Sequence, residues 1–164
     1  MNDIQLIDAE PRHMEAVLEL NEQFVEFLSP LDNRSLAELV KMSGYARVFE
    51  LNGEVVAFLI AFFPGADYDS PNYRWFNEQA ADFAYIDRIV VSEKARGLSL
   101  GTKFYDDLVQ CARSGGFKRL VCEYNVKPMN KGSAVFHQRY GFEEVGQQEL
   151  AGGKIVSLQA YALS

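Results

Sequence analysis

Ile89-Val90-Val91-Ser92-Glu93-Lys94-Ala95-Arg96-Gly97-Leu98-Ser99-Leu100-Gly101-Thr102 is an apolar run that passes through a turn of small residues into a helical pattern. The β-branched residues at its start read as the end of a strand. Beyond it, Phe104, Tyr105, Leu108 and Ala112 recur at helical spacing, so the turn opens a helix from about Gly101 to Ser114, stopped by Gly115-Gly116. Such a junction makes an anion site. The first amides of a helix have no intrahelical partners and carry the positive end of its dipole, so a pyrophosphate can sit against them. Gly97 and Gly101 would let the backbone approach closely, and Arg96 adds a fixed charge. An ordinary strand-turn-helix connection could be built from the same residues.

Upstream, Phe83–Val91 completes the strand that feeds this turn. Ala46–Leu51 and Glu54–Phe63 flank Asn52-Gly53, the pair favoured in a type I′ hairpin because both positions tolerate positive φ. A short strand, Ile4–Asp8, precedes a helix predicted over Pro11–Leu28, with Met14, Val17, Leu18, Phe24, Val25 and Leu28 on one stripe. Arg34–Met42 is a second helix. Between the hairpin and the long strand, Pro64–Asp82 reads as an extended loop rich in Asp, Pro, Asn and aromatics, too long to be a simple connection. Downstream come a strand at Arg119–Asn125, a short helix at Asn130–Tyr140, and strands near Glu144–Leu150 and Ile155–Leu163.

The 164 residues are 48% apolar and 24% charged, which suits one globular domain spanning 1–164 and excludes a disordered chain. No apolar run reaches the roughly 20 residues a bilayer requires, so no membrane role is expected. Met1-Asn2-Asp3-Ile4-Gln5 lacks the basic-then-apolar order of a signal peptide, and a cytoplasmic location is the expectation. A net charge of −7 opposes nucleic acid as a partner and would favour a cationic substrate. Cys111 and Cys122 show no metal-ligand or disulfide pattern and read as reduced; no metal is implied.

Arg96 to Gly101 is similar to the Q/R-x-x-G-x-G/A coenzyme A loop of the GNAT acetyltransferase superfamily, with Ser99 at the pattern's middle glycine. A second match follows about thirty residues on: Asn130-Lys131-Gly132-Ser133-Ala134-Val135-Phe136-His137-Gln138-Arg139-Tyr140-Gly141-Phe142 resembles the family's N-x-x-(A/S)-x-x-x-(Y/F)-x-x-x-G-F segment. The order of elements agrees over nearly the whole chain. The resemblance implies an α/β fold with a mixed, mostly antiparallel central sheet flanked by helices, in which the strands Phe83–Val91 and Arg119–Asn125 splay to form a coenzyme slot. It implies N-acetyl transfer from acetyl-CoA, as co-substrate, to a small-molecule amine by direct attack in a ternary complex. A non-catalytic acyl-CoA sensor, and a transferase for a protein amine or a longer acyl group, are the competing readings.

By the same resemblance, amides along Ile89, Val90 and Val91 would bind the pantetheine arm and polarise the thioester carbonyl. The loop Arg96, Gly97, Leu98, Ser99, Leu100, Gly101 and Thr102 would hold the pyrophosphate, and Asn130, Ser133 and Phe136 would line the coenzyme site. A plain helix cap is the alternative for Asn130. The family often has a tyrosine four residues before the Gly-Phe glycine to protonate the departing thiolate; His137 stands there, with a packing role as its alternative and Tyr140 as the next candidate acid. A base is needed to take the ammonium proton. Asp87 and Glu123, at strand ends, are the candidates, directly or through water, with a structural ion pair as the alternative for each. Arg88 neighbours Asp87 but points to the opposite face of a regular strand, so it is not an automatic partner. Cys122 as an acyl carrier is weaker, for it has no activating neighbour. Tyr73 and Trp75, within Pro64–Asp82, are candidates for holding the amine; the alternatives for that segment are a plug on the core or a homodimer contact.

Overall fold

The computed structural model describes residues 3–163; Met1 and Asn2, on which the signal-peptide reading partly rests, lie outside them. Seven strands form one mixed, mostly antiparallel sheet in the order β1-β2-β3-β4-β5-β7-β6. The chain separates into two compact units, one comprising the segment up to Phe62 with Ile86–Asp107, the other Phe63–Tyr85 with the segment from Leu108 onward.

In the first unit, β1 (Ile4–Asp8), β2 (Tyr45–Leu51) and β3 (Glu54–Phe62) are joined antiparallel. The β2–β3 hairpin turns on Asn52 and Gly53 at φ 53° and 84°, both left-handed, as a type I′ turn demands. Every residue of β3 from Val56 to Phe62 is buried, which explains its unbroken apolar run. Helix α1 covers only Met14–Glu22, shorter than the apolar stripe predicted. The cause is Asn21, whose buried side chain donates to the Ser29 carbonyl at 3.0 Å and so holds a returning chain rather than a further helical turn. Val25 is consequently exposed. Helix α2 (Asn33–Met42) is capped by Asp32, whose carboxylate accepts from the Ser35 amide at 2.8 Å.

In the second unit, the segment read as an extended loop contains helix α3 (Pro71–Asn77), capped by Ser70 and started by a proline at its first position. Seven residues were too few for periodicity to reveal it. Its Tyr73 and Phe76 are buried against the rings of Phe83 and Tyr85, which begin β4 (Phe83–Val91). β5 (Arg119–Lys127) pairs with β7 (Ile155–Ala162), and β7 with β6 (Glu143–Glu149), all antiparallel. β4 and β5 are parallel, with registered pairs from Phe83↔Arg119 to Tyr85↔Val121, although each strand is nine residues long. Helix α4 (Leu100–Ser114) follows the turn after β4, and α5 (Lys131–Tyr140) follows β5. Among the described residues no helix is long and apolar enough to cross a membrane.

Candidate active site

The turn after β4 is built for a backbone role. Ser92 caps a short 3-10 turn, Glu93–Ala95, and Arg96 leaves it with extended backbone (φ −61°, ψ 145°). Gly97 then takes φ 85° and Ser99 φ 58°. A Cβ on Gly97 would meet nothing within 4 Å, so glycine is there for its backbone angle and not for want of space. Ser99 occupies the same left-handed region without glycine's freedom, which costs about 1–2 kcal/mol for an L-residue. The serine therefore keeps the turn geometry that a glycine would adopt at lower cost. Its carbonyl accepts from the Lys103 amide at 3.0 Å, so the amides of Leu100, Gly101 and Thr102 lie in the first helical turn, where intrahelical partners do not exist. The Arg96 guanidinium is exposed, 3.3 Å from Glu93. On β4, Val90 is buried, whereas Ile89 and Val91 are half-buried.

Asp87 and Arg88 are adjacent on β4, yet the Arg88 Nε lies 3.5 Å from the Asp87 carboxylate, with both side chains about nine-tenths buried. Regular strand alternation would put the two on opposite faces, yet they come within ion-pair distance. Arg88 also donates to Asn21 Oδ1 at 3.0 Å and to the Ser29 carbonyl at 2.6 Å. Asp87 thus sits in an ion pair that also anchors the chain after α1.

Glu123 is placed differently. It is half-buried on β5, and its Oε1 accepts from the Tyr85 hydroxyl at 2.5 Å. Tyr85 is 1% exposed and is wedged by Tyr73 and Phe76, with ring centroids at 5.7 and 6.2 Å. This fixes one carboxylate oxygen by a charge-assisted bond. Sequence reasoning missed Tyr85. Its partnership follows from the parallel β4–β5 register, which the sequence does not carry.

Asn130 caps α5: its Oδ1 accepts from the Ser133 amide at 3.2 Å. The His137 ring is 4% exposed and stands between Phe136, Phe142 and Tyr124, with centroids at 5.2, 5.0 and 6.0 Å. Its Nδ1 lies 2.8 Å from the Ser133 carbonyl, so that nitrogen carries the proton, and 3.2 Å from the Ser133 hydroxyl. Burial pushes the imidazole below its ordinary value of 6.5, partly offset by the Ser133 carbonyl. The neutral ring then has its only proton committed to a carbonyl, and Nε2 has none to give. These contacts describe a packing and hydrogen-bonding histidine. Phe136 and Tyr140 are half-buried, their centroids 6.3 Å apart.

Tyr73 and Trp75, the candidates for holding the amine, lie in α3 of the second unit. Tyr73 is 1% exposed, and its hydroxyl donates to the Phe63 carbonyl at 2.7 Å and accepts from the Ala66 amide at 3.1 Å, tying down its own loop. Trp75 lies over Gly146 of β6, where an added Cβ would come within 2.7 Å of the indole. Both plug the core. Cys122 is fully buried, and its thiol is raised well above the usual 9.0 by that burial and by Glu123, which removes the thiolate an acyl carrier needs. Among the described residues no group of three or more His, Cys, Asp or Glu is arranged to hold a metal ion.

A seven-stranded mixed sheet with helices, and a left-handed turn delivering β4 into α4, define an acetyltransferase type of fold. The sequence profile of the Acetyltransferase (GNAT) family matches residues 13–142, and the chain belongs to that family. Among solved structures, the chain is similar to Ard1 from Thermoplasma volcanium, with a TM-score of 0.80 at 14% identity over 98% of each chain. It is similar to the ribosomal-protein-S18-alanine N-acetyltransferase of Escherichia coli, with a TM-score of 0.72 at 17% identity, covering all of this chain and 95% of that one. The structure of yncA from Salmonella typhimurium with its cofactor acetyl-CoA gives a TM-score of 0.72 at 19% identity, over 99% and 95% of the two chains. No curated protein matches the sequence.

Proposed function

We propose that the protein transfers an acetyl group from acetyl-CoA to the amine of a small molecule, with Glu123 as the base. The observation that carries this reading is the turn itself: left-handed backbone at residues 97 and 99, followed at once by the first amides of α4, in a chain of the acetyltransferase family. The turn Arg96–Thr102 would hold the pyrophosphate, and the amides of Ile89–Val91 the pantetheine arm. Asn130, Ser133 and Phe136 would border the coenzyme. Glu123 is preferred to Asp87 because a neutral hydroxyl holds its Oε1, whereas the Asp87 carboxylate faces a guanidinium. The net charge of −7 favours an ammonium-bearing acceptor. Cys111 and Cys122 are not joined in a disulfide, in keeping with a reducing, cytoplasmic setting.

The test is thiol release on mixing acetyl-CoA with spermidine, tyramine, glutamate and an alanyl peptide. Amine-dependent release supports the reading, and preference for the peptide moves the acceptor to protein. Tight coenzyme binding by calorimetry, without release on any amine, would make the chain a sensor.

A further inference from the structure

His137 cannot serve the departing sulfur as it stands, which raises the question of where a proton could come from. On the face of β5 opposite Glu123, Tyr124 packs its ring against His137, 6.0 Å between centroids. Its hydroxyl is the end of a chain of hydrogen bonds that crosses β7 to the sheet edge. The Ser157 hydroxyl lies 2.6 Å from Glu144 Oε2, Gln159 Nε2 lies 2.6 Å from Ser157 Oγ, and the same Nε2 lies 3.3 Å from the Tyr124 hydroxyl. Ser157 and Gln159 are buried; Glu144 is exposed on β6.

This chain has one permitted direction. An ionised carboxylate only accepts, so Ser157 must donate its single proton to Glu144. Ser157 Oγ can then only accept from Gln159, which places the NH2 of the amide toward it. That NH2 has two protons, and the second goes to Tyr124. The Tyr124 oxygen is thereby an acceptor within the network, and its own proton is directed away from it. A buried carboxamide with both protons committed cannot rotate without losing two bonds.

We infer that Tyr124 is the proton donor to the leaving sulfur, with its polarity set by the relay Glu144–Ser157–Gln159. This rests on the proposed acetyl transfer. The amine nitrogen adds to the thioester carbonyl and loses its proton to Glu123. The carbon–sulfur bond breaks with its electron pair on sulfur, and the Tyr124 proton moves to sulfur to give the free thiol. The tyrosinate is re-protonated from solvent, to which Glu123 returns the amine's proton. The titratable groups facing Tyr124 are His137 on α5, Glu144 on β6 through Ser157, and Cys122 on its own strand face, with Glu123 on the other. Gln159, Ser157 and Glu144 are positioning residues.

The experiment titrates the thiol of bound coenzyme A by its thiolate absorbance, in wild type, Tyr124→Phe, Glu144→Gln and Glu144→Asp, beside steady-state kinetics on the best amine. A hydroxyl donating to sulfur stabilises the thiolate, so the bound thiol should titrate at higher pH in Tyr124→Phe. Turnover should fall on the order of 10²-fold, with the KM for acetyl-CoA nearly constant. Glu144→Gln, at an exposed position, lets an amide donate to Ser157 and so permits the chain to reverse. It should shift the thiol titration in the same direction by less and lower kcat several-fold without moving the melting temperature, and Glu144→Asp should restore both. A bound thiol that titrates identically in wild type and Tyr124→Phe overturns the inference while leaving acetyl transfer intact. Failure of wild type to bind coenzyme A at all overturns both.

Discussion

The turn between β4 and α4 and the segment from β5 to α5 carry the two motifs of the family, but they work by different means. At the turn, what is distinctive lies in the main chain, and side chains matter by what they permit: Gly97 permits φ 85°, and Ser99 tolerates φ 58°. In the β5–α5 segment, what is distinctive lies in side-chain partners brought together by strand register: Tyr85 with Glu123, and Gln159 with Tyr124. A backbone site can be read from a local pattern. A side-chain site depends on pairings between residues tens of positions apart.

The largest effect should come from an assault on the backbone site. Gly101→Glu adds bulk and a negative charge to the first turn of α4, and calorimetry should find no acetyl-CoA binding alongside a near-normal melting curve. Unchanged affinity would mean that the turn is only a connection.

Next comes the side-chain site. Glu123→Gln keeps an acceptor for the Tyr85 hydroxyl but removes the base, so kcat should fall about 10²- to 10³-fold with the KM for acetyl-CoA steady. Tyr85→Phe should cost less, about tenfold, because the carboxylate survives but is no longer held. If Asp87→Asn is the more damaging of the two carboxylate changes at constant melting temperature, the base has been misassigned.

How legible these regions were follows the same division. The hairpin at Asn52-Gly53, the strand Phe83–Val91 and the helix after Gly101 could be read because each is written in adjacent residues. Helix α1 was overextended because the stripe through Phe24, Val25 and Leu28 continues in sequence, while the Asn21–Ser29 bond that ends it is a tertiary event. Glu123 can be named from its strand position but its partner Tyr85 cannot, and aromatic residues in a loop, such as Tyr73 and Trp75, do not disclose which way they face. His137 was placed in the right segment; its burial and its bond to the Ser133 carbonyl are invisible in the motif.

A smaller effect is expected at His137. Its ring is buried among Phe136, Phe142 and Tyr124 with Nδ1 held by the Ser133 carbonyl, so His137→Phe should keep turnover within about tenfold of wild type, and a loss near 10²-fold would return it to the chemistry. Its pH signature has a definite sign. The folded-state value is held below the ordinary 6.5, so the unfolded chain binds more protons as pH falls through and below 6.5, and stability falls with it. The melting temperature of wild type should therefore drop more steeply than that of His137→Phe between neutral and mildly acidic pH.

The smallest is Ser99→Gly. Relief of the left-handed serine is worth about 1–2 kcal/mol, against about 0.5–1 kcal/mol for the added freedom of glycine in the unfolded chain. A net gain of roughly 0.5–1 kcal/mol should appear in denaturant titration, with coenzyme affinity changed by no more than about tenfold. Destabilisation would show that the serine hydroxyl holds the turn in a way its backbone angle does not reveal.

The central claim, that this chain moves an acetyl group from coenzyme to amine, is tested most directly by measuring thiol released and acetylated amine formed in one reaction, by absorbance and mass spectrometry. The account predicts equal amounts of the two products in wild type, both abolished in Gly101→Glu and both slowed in Glu123→Gln. Thiol release that is independent of the amine, or product that persists in Gly101→Glu, would contradict it.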